Sequence, residues 1–154
     1  MSLADLLKPG PPSFHLTSAT SEALGEAISA LSSDSAVVRR IRGTRCRTVD
    51  GWFDELSAAL QFPSYFGSNW PALEDMLTDL SWLPADGYLL VFEDAEDLLA
   101  DELPEALTLA LTILGEAAEE FAPIPYQFLL QAPGDGRIAK ALSANGTAYA
   151  TFAL

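Results

Sequence analysis

Residues 63–75, with the sequence PSYFGSNWPALED, combine two features that suit recognition of another protein. The aromatic residue Tyr65 lies in a loop with a glycine and an asparagine, and the carboxylates Glu74 and Asp75 follow on a predicted helix. An exposed ring offers rigid contact area, and a neighbouring carboxylate accepts directed, charge-assisted hydrogen bonds. This pattern favours binding to a cationic cleft on a partner.

Catalysis that depends on histidine, cysteine or bound phosphate is not indicated. His15 is the single histidine and has no plausible nucleophile near it in the sequence, so we interpret it as a structural residue. The phosphate-binding patterns GxGxxG and GxxxxGKS/T are both absent, and one histidine with one cysteine is too few for a zinc site. We therefore expect no catalytic residue and no cofactor.

Carboxylates leave one enzymatic alternative, a metal-assisted hydrolase that uses Glu74, Asp75 and the acids of residues 93–97. Glu74 and Asp75 are adjacent, so on a helix they point about 100° apart and cannot share a proton as a facing pair does. The acids of 93–97 lack the Asp-x-Asp-x-Asp-Gly spacing of a calcium loop. A charge run after a strand is usually a solvated loop, and we predict no metal site.

The charge distribution also points to a cationic partner. The chain has 22 Asp and Glu against 8 Lys and Arg, a formal net charge of -14. Five arginines fall within residues 39–47, and residues 48–136 contain no Lys or Arg but hold all except four of the acids. Such a field repels nucleic acid and anionic membranes and attracts cationic proteins or metal ions. The alternative is that the charge only keeps the protein soluble.

The segments expected to position these residues alternate between strands and helices. The hydrophobic patterns predict strands over 14–17, 37–41, 88–92 and 126–130, and helices over 18–32, 50–61, 69–80 and 104–121. Strands that alternate with helices imply a parallel sheet with right-handed crossovers. Asp50 is the expected N-cap of the second helix, and Gly67 is expected to serve the turn before the third.

The length of 154 residues and a hydrophobic content of 49% predict one domain. We expect residues 1–12 to be a flexible lead-in without helical structure, because they end in KPGPP. An added strand and helix (13–36), a core (37–131) and an extension (132–154) that contains a short helix would follow. The single cysteine, the absence of a signal sequence and the absence of a long apolar run predict a cytoplasmic protein. We also expect it to be a monomer.

Six segments of the sequence resemble the barstar family in order and spacing. They are VRRIRGTRC, DGWFDELSAALQ, FPSYFGSNWPALEDML, YLLVFEDAEDLL, ILGEAAEEF and YQFLLQ, and the resemblance extends over about residues 37–131. The resemblance implies a three-layer α/β fold with a mostly parallel sheet of three or four strands. It also implies that the chain is a non-enzymatic inhibitor of a small basic ribonuclease, with a non-inhibitory module that binds another cationic protein as the alternative.

The resemblance assigns partner contacts to individual positions of this chain. The matching positions are Tyr65, Gly67, Asn69, Asp75 and Thr78, with Glu116 on the later helix as a further acidic contact, and Glu74 lies beside them. Two positions depart from the family. Pro71 stands where the family commonly has a binding Asp, and Glu74 stands where the type member has a tryptophan. These departures could mean a different target nuclease or a different kind of partner.

Overall fold

A computed structural model describes residues 1–31 and 34–154. Its centre is a sheet of five parallel strands in the order β2-β3-β4-β1-β5. The strands are β1 (Phe14–Thr17), β2 (Ala36–Arg42), β3 (Gly87–Glu93), β4 (Tyr126–Gln131) and β5 (Tyr149–Thr151). The helices are α1 (Ser21–Ala30), α2 (Val49–Leu60), α3 (Trp70–Asp79), α4 (Pro104–Phe121) and α5 (Arg137–Ala144), with 3-10 helices at Leu3–Leu7, Gly43–Arg45 and Ala95–Asp97.

Helices cover both faces of the sheet, which confirms the predicted three-layer α/β class. Leu90 and Phe92 of β3 pack into the main core with α2, α3, α4 and α5, whereas Leu89 and Val91 pack on the other face with α1 and the Leu3–Leu7 helix. Every residue of β3 is buried, as an inner strand of a covered parallel sheet requires. The two apolar strands β3 and β4 are direct neighbours in the sheet, and Leu90 lies opposite Phe128.

The sheet has five strands rather than three or four because both terminal segments contribute one. Strand β1 lies between β4 and β5, with Phe14 opposite Phe128 on one side and Tyr149 on the other. Strand β5 is only three residues long, Tyr149–Thr151, and neither β1 nor β5 lies within residues 37–131. A pattern of period two cannot be recognised in so short a strand, so β5 was not predicted.

The expectation that residues 1–12 lack helical structure is wrong. Leu3–Leu7 is a 3-10 helix in which Leu3 and Leu6 are buried against the sheet. Residues three apart lie above one another in a 3-10 helix, so both leucines point to the same side. The Asp5 carboxylate accepts a hydrogen bond of 2.9 Å from the Ser2 N–H and so closes the first turn.

The starts of two helices also differ from the predicted ones. Helix α1 begins at Ser21, later than the predicted residue 18, because the Thr20 hydroxyl accepts from the Ala23 N–H; its predicted end at Ser32 lies outside the described residues. Helix α2 is capped by Thr48, not by Asp50, because the Thr48 hydroxyl accepts from the Gly51 N–H at 3.1 Å.

The arginines of residues 39–47 are largely neutralised within the protein. Three of them form ion pairs with acids elsewhere in the chain: Arg40 with Glu93, Arg42 with Glu55, and Arg47 with Asp97 and Asp101. A fourth, Arg39, donates to the Ala59 carbonyl at 2.9 Å. The basic stretch therefore braces β2 against its neighbours and does not form an open cationic patch.

We predict that Glu93→Gln will destabilise the protein in a pH-dependent way. Arg40 donates to both carboxylate oxygens of Glu93 at 2.7 Å, and these hydrogen bonds lower the pKa of Glu93. A carboxyl whose pKa is lower in the folded than in the unfolded protein stabilises the fold at pH values above its unfolded-state pKa, about 4.3. This contribution is lost as the pH falls through its folded-state pKa.

The cost of Glu93→Gln at pH 7 should be about 1–2 kcal/mol, the value of a partly exposed charge-assisted hydrogen bond. Urea unfolding at pH 7 and pH 3 measures it, with Glu26→Gln, a change at an exposed glutamate of α1, as the matched control. A difference between Glu93→Gln and the wild type that is as large at pH 3 as at pH 7 would show that the ion pair is not its cause.

Candidate protein-binding surface

The loop between α2 and α3 is shaped by an aromatic cluster beneath it. Phe66 packs edge-on against Phe62 and Phe53, with ring centroids 4.9 and 6.0 Å apart, and Trp70 packs against Phe53 at 5.2 Å. Phe66 and Trp70 are partly buried, and their rings lie against the main core. Tyr65 points away from them and is 70% exposed, so its ring is available to a partner.

Gly67 and Asn69 set the start of α3. The Asn69 side chain accepts a hydrogen bond from the Ala72 N–H at 2.8 Å and donates one to the Gly67 carbonyl at 3.3 Å. The left-handed residue of the turn is Ser68, with φ 50°, and not the glycine. At Gly67 a β-carbon would lie 3.1 Å from the Asn69 amide nitrogen, so a larger residue there would require the Asn69 side chain to shift. Both predicted contact residues thus have a structural role.

Helix α3 presents acids to solvent and contains no Lys or Arg. Glu74 and Asp75 are exposed, and among the described residues neither carboxylate has a hydrogen-bonding or ion-pairing partner. Thr78 is half-buried, and its hydroxyl donates to the Glu74 carbonyl at 2.8 Å. Asp79, one turn after Asp75, is also exposed; it was left out of the predicted contacts, although its i+4 spacing places it on the same face.

The structure brings Tyr65, Gly67, Asn69, Glu74, Asp75 and Thr78 together on one loop and helix, which we call the loop–α3 surface. Glu116 lies apart, on α4, which packs against α3. It is exposed and lines a cleft of about 350 Å³ with the residues that precede β1 and those of the turn after α5. Its membership of the same surface stays a prediction.

Three of the acids considered as metal ligands, Glu93, Glu96 and Asp97, have partners within the protein. Glu93 pairs with Arg40, and Asp97 pairs with Arg47 at 2.7 Å. Glu96 accepts hydrogen bonds from two N–H groups at the start of α5. Within residues 1–31 and 34–154, no three His, Cys, Asp or Glu side chains lie close enough to hold a metal ion. The structure therefore offers nothing in favour of the metal-assisted hydrolase.

Neither reactive side chain of the sequence is placed for nucleophilic chemistry. His15 Nε2 lies 2.9 Å from the side-chain amide of Gln127 and 3.1 Å from the Pro12 carbonyl oxygen, which fits the structural role predicted for it. Cys46 is fully buried, and burial raises the pKa of its thiol to about 12. A thiol in this environment stays protonated near neutral pH.

None of the helices in the described part of the chain is long and apolar enough to cross a membrane.

The sequence model of one protein family, described as "Barstar (barnase inhibitor)", matches residues 36–132 and so includes the whole loop–α3 surface. A search of curated proteins gives no match.

Among solved structures, the crystal structure of Cdc6p from Pyrobaculum aerophilum is similar, with a TM-score of 0.63 and 15% sequence identity. The alignment covers 97% of this chain and 42% of that one, so this chain spans less than half of its length. At this identity the similarity concerns the fold alone.

Proposed function

This chain belongs to the barstar family, and we propose that it inhibits a small basic ribonuclease by covering its active site. The observation that carries the proposal is the loop–α3 surface within the matched residues. There the loop carries an exposed tyrosine, and the helix that follows it carries two exposed carboxylates that have no cation to pair with in the described part of the protein. Such a surface is complementary to a cleft built to hold the phosphates of RNA.

The proposed mechanism is occlusion combined with charge mimicry, without a cofactor. Asp75 would take the place of a substrate phosphate and accept hydrogen bonds from the cations of the nuclease. Tyr65 would supply contact area at low entropic cost, since its loop is already fixed by the rings beneath it. The wider acidic field would steer the basic enzyme towards this surface and raise the association rate.

The experiment that tests this function is inhibition of a panel of basic ribonucleases by the purified protein. Cleavage of a fluorescent RNA is followed while the protein is added up to a small molar excess. The proposal expects a stoichiometric loss of activity for at least one enzyme of the panel. If every enzyme stays fully active, the ribonuclease proposal fails.

A second candidate is a non-inhibitory module on the same fold that binds another cationic protein. Pro71 favours it, because this exposed position at the mouth of the surface carries no charge. An affinity capture that returns a cationic protein without ribonuclease activity, together with a negative panel, would support this candidate.

The Pro71→Asp substitution distinguishes a barnase-like ribonuclease from another cationic protein as the partner. Pro71 occupies the first turn of α3, where N–H groups lack intrahelical partners, so the substitution should leave the fold intact. A carboxylate near a helix N-terminus is favourable by about 0.3–1 kcal/mol, and it would add a charge facing the cleft. We expect about two- to tenfold tighter binding to a barnase-like enzyme, measured by competition titration.

The control for this substitution is Pro71→Ala, which removes the ring without adding charge. Unchanged or weaker binding of the Pro71→Asp protein, with its circular dichroism preserved, would argue that the surface is adapted to a different partner.

A further inference from the structure

A cleft of about 550 Å³ opens at the carboxyl ends of β1, β3 and β4. It lies at the point in the sheet where the order of strand addition reverses, because β4 has β1 and not β5 as its next neighbour. In open parallel sheets the loops diverge at such a point, and the crevice between them commonly binds ligands. The volume is within the range of small-molecule pockets, about 300–1,000 Å³. The loop–α3 surface takes no part in its lining.

One side chain joins the three walls of this cleft. The Gln131 amide oxygen accepts a hydrogen bond of 2.7 Å from the Asp94 N–H, after β3. The Gln131 amide nitrogen donates to the Ala19 carbonyl at 2.9 Å, after β1. Since β4 ends at Gln131, the segments that follow all three strands are held in fixed positions. The cleft is therefore already formed without a ligand.

Two polar groups of the lining have unused hydrogen-bonding capacity. The Asp94 carboxylate has no partner among the described residues. Thr17 is only 1% exposed; its hydroxyl oxygen accepts from the Ala19 N–H at 3.1 Å, and its hydroxyl proton has no acceptor in the described part of the chain. A buried hydroxyl with an unused proton costs free energy unless a ligand or water accepts it.

The charge of the lining excludes phosphate compounds. It contains carboxylates and neither lysine nor arginine, and the turn after β1, residues 18–20, contains no glycine or lysine. Glu96 already occupies the N-terminus of α5, and Thr20 that of α1, so neither helix end is left open for an anion.

We propose that this cleft binds a small organic cation that also carries a carbonyl or hydroxyl oxygen. Its ammonium or guanidinium group would pair with Asp94, and its oxygen would accept the free proton of Thr17. The apolar part of the lining, Ala19, Ala132 and Pro133, would contact its carbon chain. This site is independent of ribonuclease binding.

Calorimetric titration with L-argininamide, which has both groups, tests the proposal at low salt. The wild type should bind one equivalent. Asp94→Asn should weaken binding at least about tenfold, the contribution of one charge-assisted hydrogen bond. Asn tolerates the left-handed backbone of Asp94, φ 49°, so the fold should persist. Thr17→Val should weaken binding as well, and Glu26→Gln should leave it unchanged.

Tetramethylammonium, a cation without hydrogen-bond donors, and ATP are the ligand controls, and neither should bind at this site. Three results would overturn the proposal: no saturable binding of L-argininamide at millimolar concentration, equal binding by wild type and Asp94→Asn, or binding of either control ligand as tightly as L-argininamide.

Discussion

Asp75→Ala should weaken binding to the target ribonuclease by about 2–5 kcal/mol or more, the cost of leaving buried cations unpaired across an interface. A carboxylate that stays solvated in the complex would contribute only about 0–1 kcal/mol. The free protein should be unaffected, because Asp75 is exposed and its carboxylate has no partner among the described residues. Inhibition constants of the wild type and of Asp75→Ala measure the loss of binding, and urea unfolding of the same two proteins measures any change in stability.

The matched control is an acid remote from the loop–α3 surface. Asp101 and Glu102 are unsuitable as control positions, because both have structural contacts that a substitution would break. Asp101 pairs with Arg47, and Glu102 accepts a hydrogen bond from the Val49 N–H at 2.8 Å. Glu26 of α1 is exposed on the opposite face of the sheet, so Glu26→Gln should change the association rate at most. If Asp75→Ala is harmless while the wild type inhibits, the function stands and the assigned surface is wrong.

Leu90→Ala should lower the free energy of unfolding by about 2–5 kcal/mol. Leu90 is fully buried in β3, which has β2 and β4 on its two sides, and its side chain lies in the main core beneath α2–α5. Truncation there loses apolar burial and leaves a cavity that the flanking strands cannot close. Urea denaturation measures the change.

Leu103→Ala is the matched control, because Leu103 is 76% exposed at the start of α4. It should cost less than about 0.5 kcal/mol, as surface substitutions usually do. Similar losses for the two variants would contradict the placement of β3 at the centre of the sheet.

The parts of the fold that could be predicted are those with long, uninterrupted patterns. The uninterrupted apolar runs of β3 and β4 are typical of strands covered on both faces, and Pro104 marks the start of α4 where the sequence predicted it. The C-terminal strand β5 could not be predicted, because its three residues obtain their partners only from β1, more than a hundred residues earlier.

The candidate surface was predicted less completely, for a related reason. Tyr65 is exposed, as the sequence indicated, because Phe66 and Trp70 pack inward against Phe53. The helix-capping role of Asn69 was not predicted, although Asn followed closely by Pro is a typical sequence signal for a helix start. The pairing of Arg40 with Glu93, across 53 positions of sequence, required the register of β2 on β3.

The most direct test of the proposed function is competition at the active site of the target ribonuclease. Binding of this protein is measured by fluorescence anisotropy while a nucleotide that occupies the active site is added in increasing amounts. If the loop–α3 surface covers that site, the apparent dissociation constant should rise in proportion to the nucleotide concentration once the site is saturated. An apparent dissociation constant that does not change would mean that the protein binds elsewhere on the enzyme, and the account of inhibition by occlusion would be wrong.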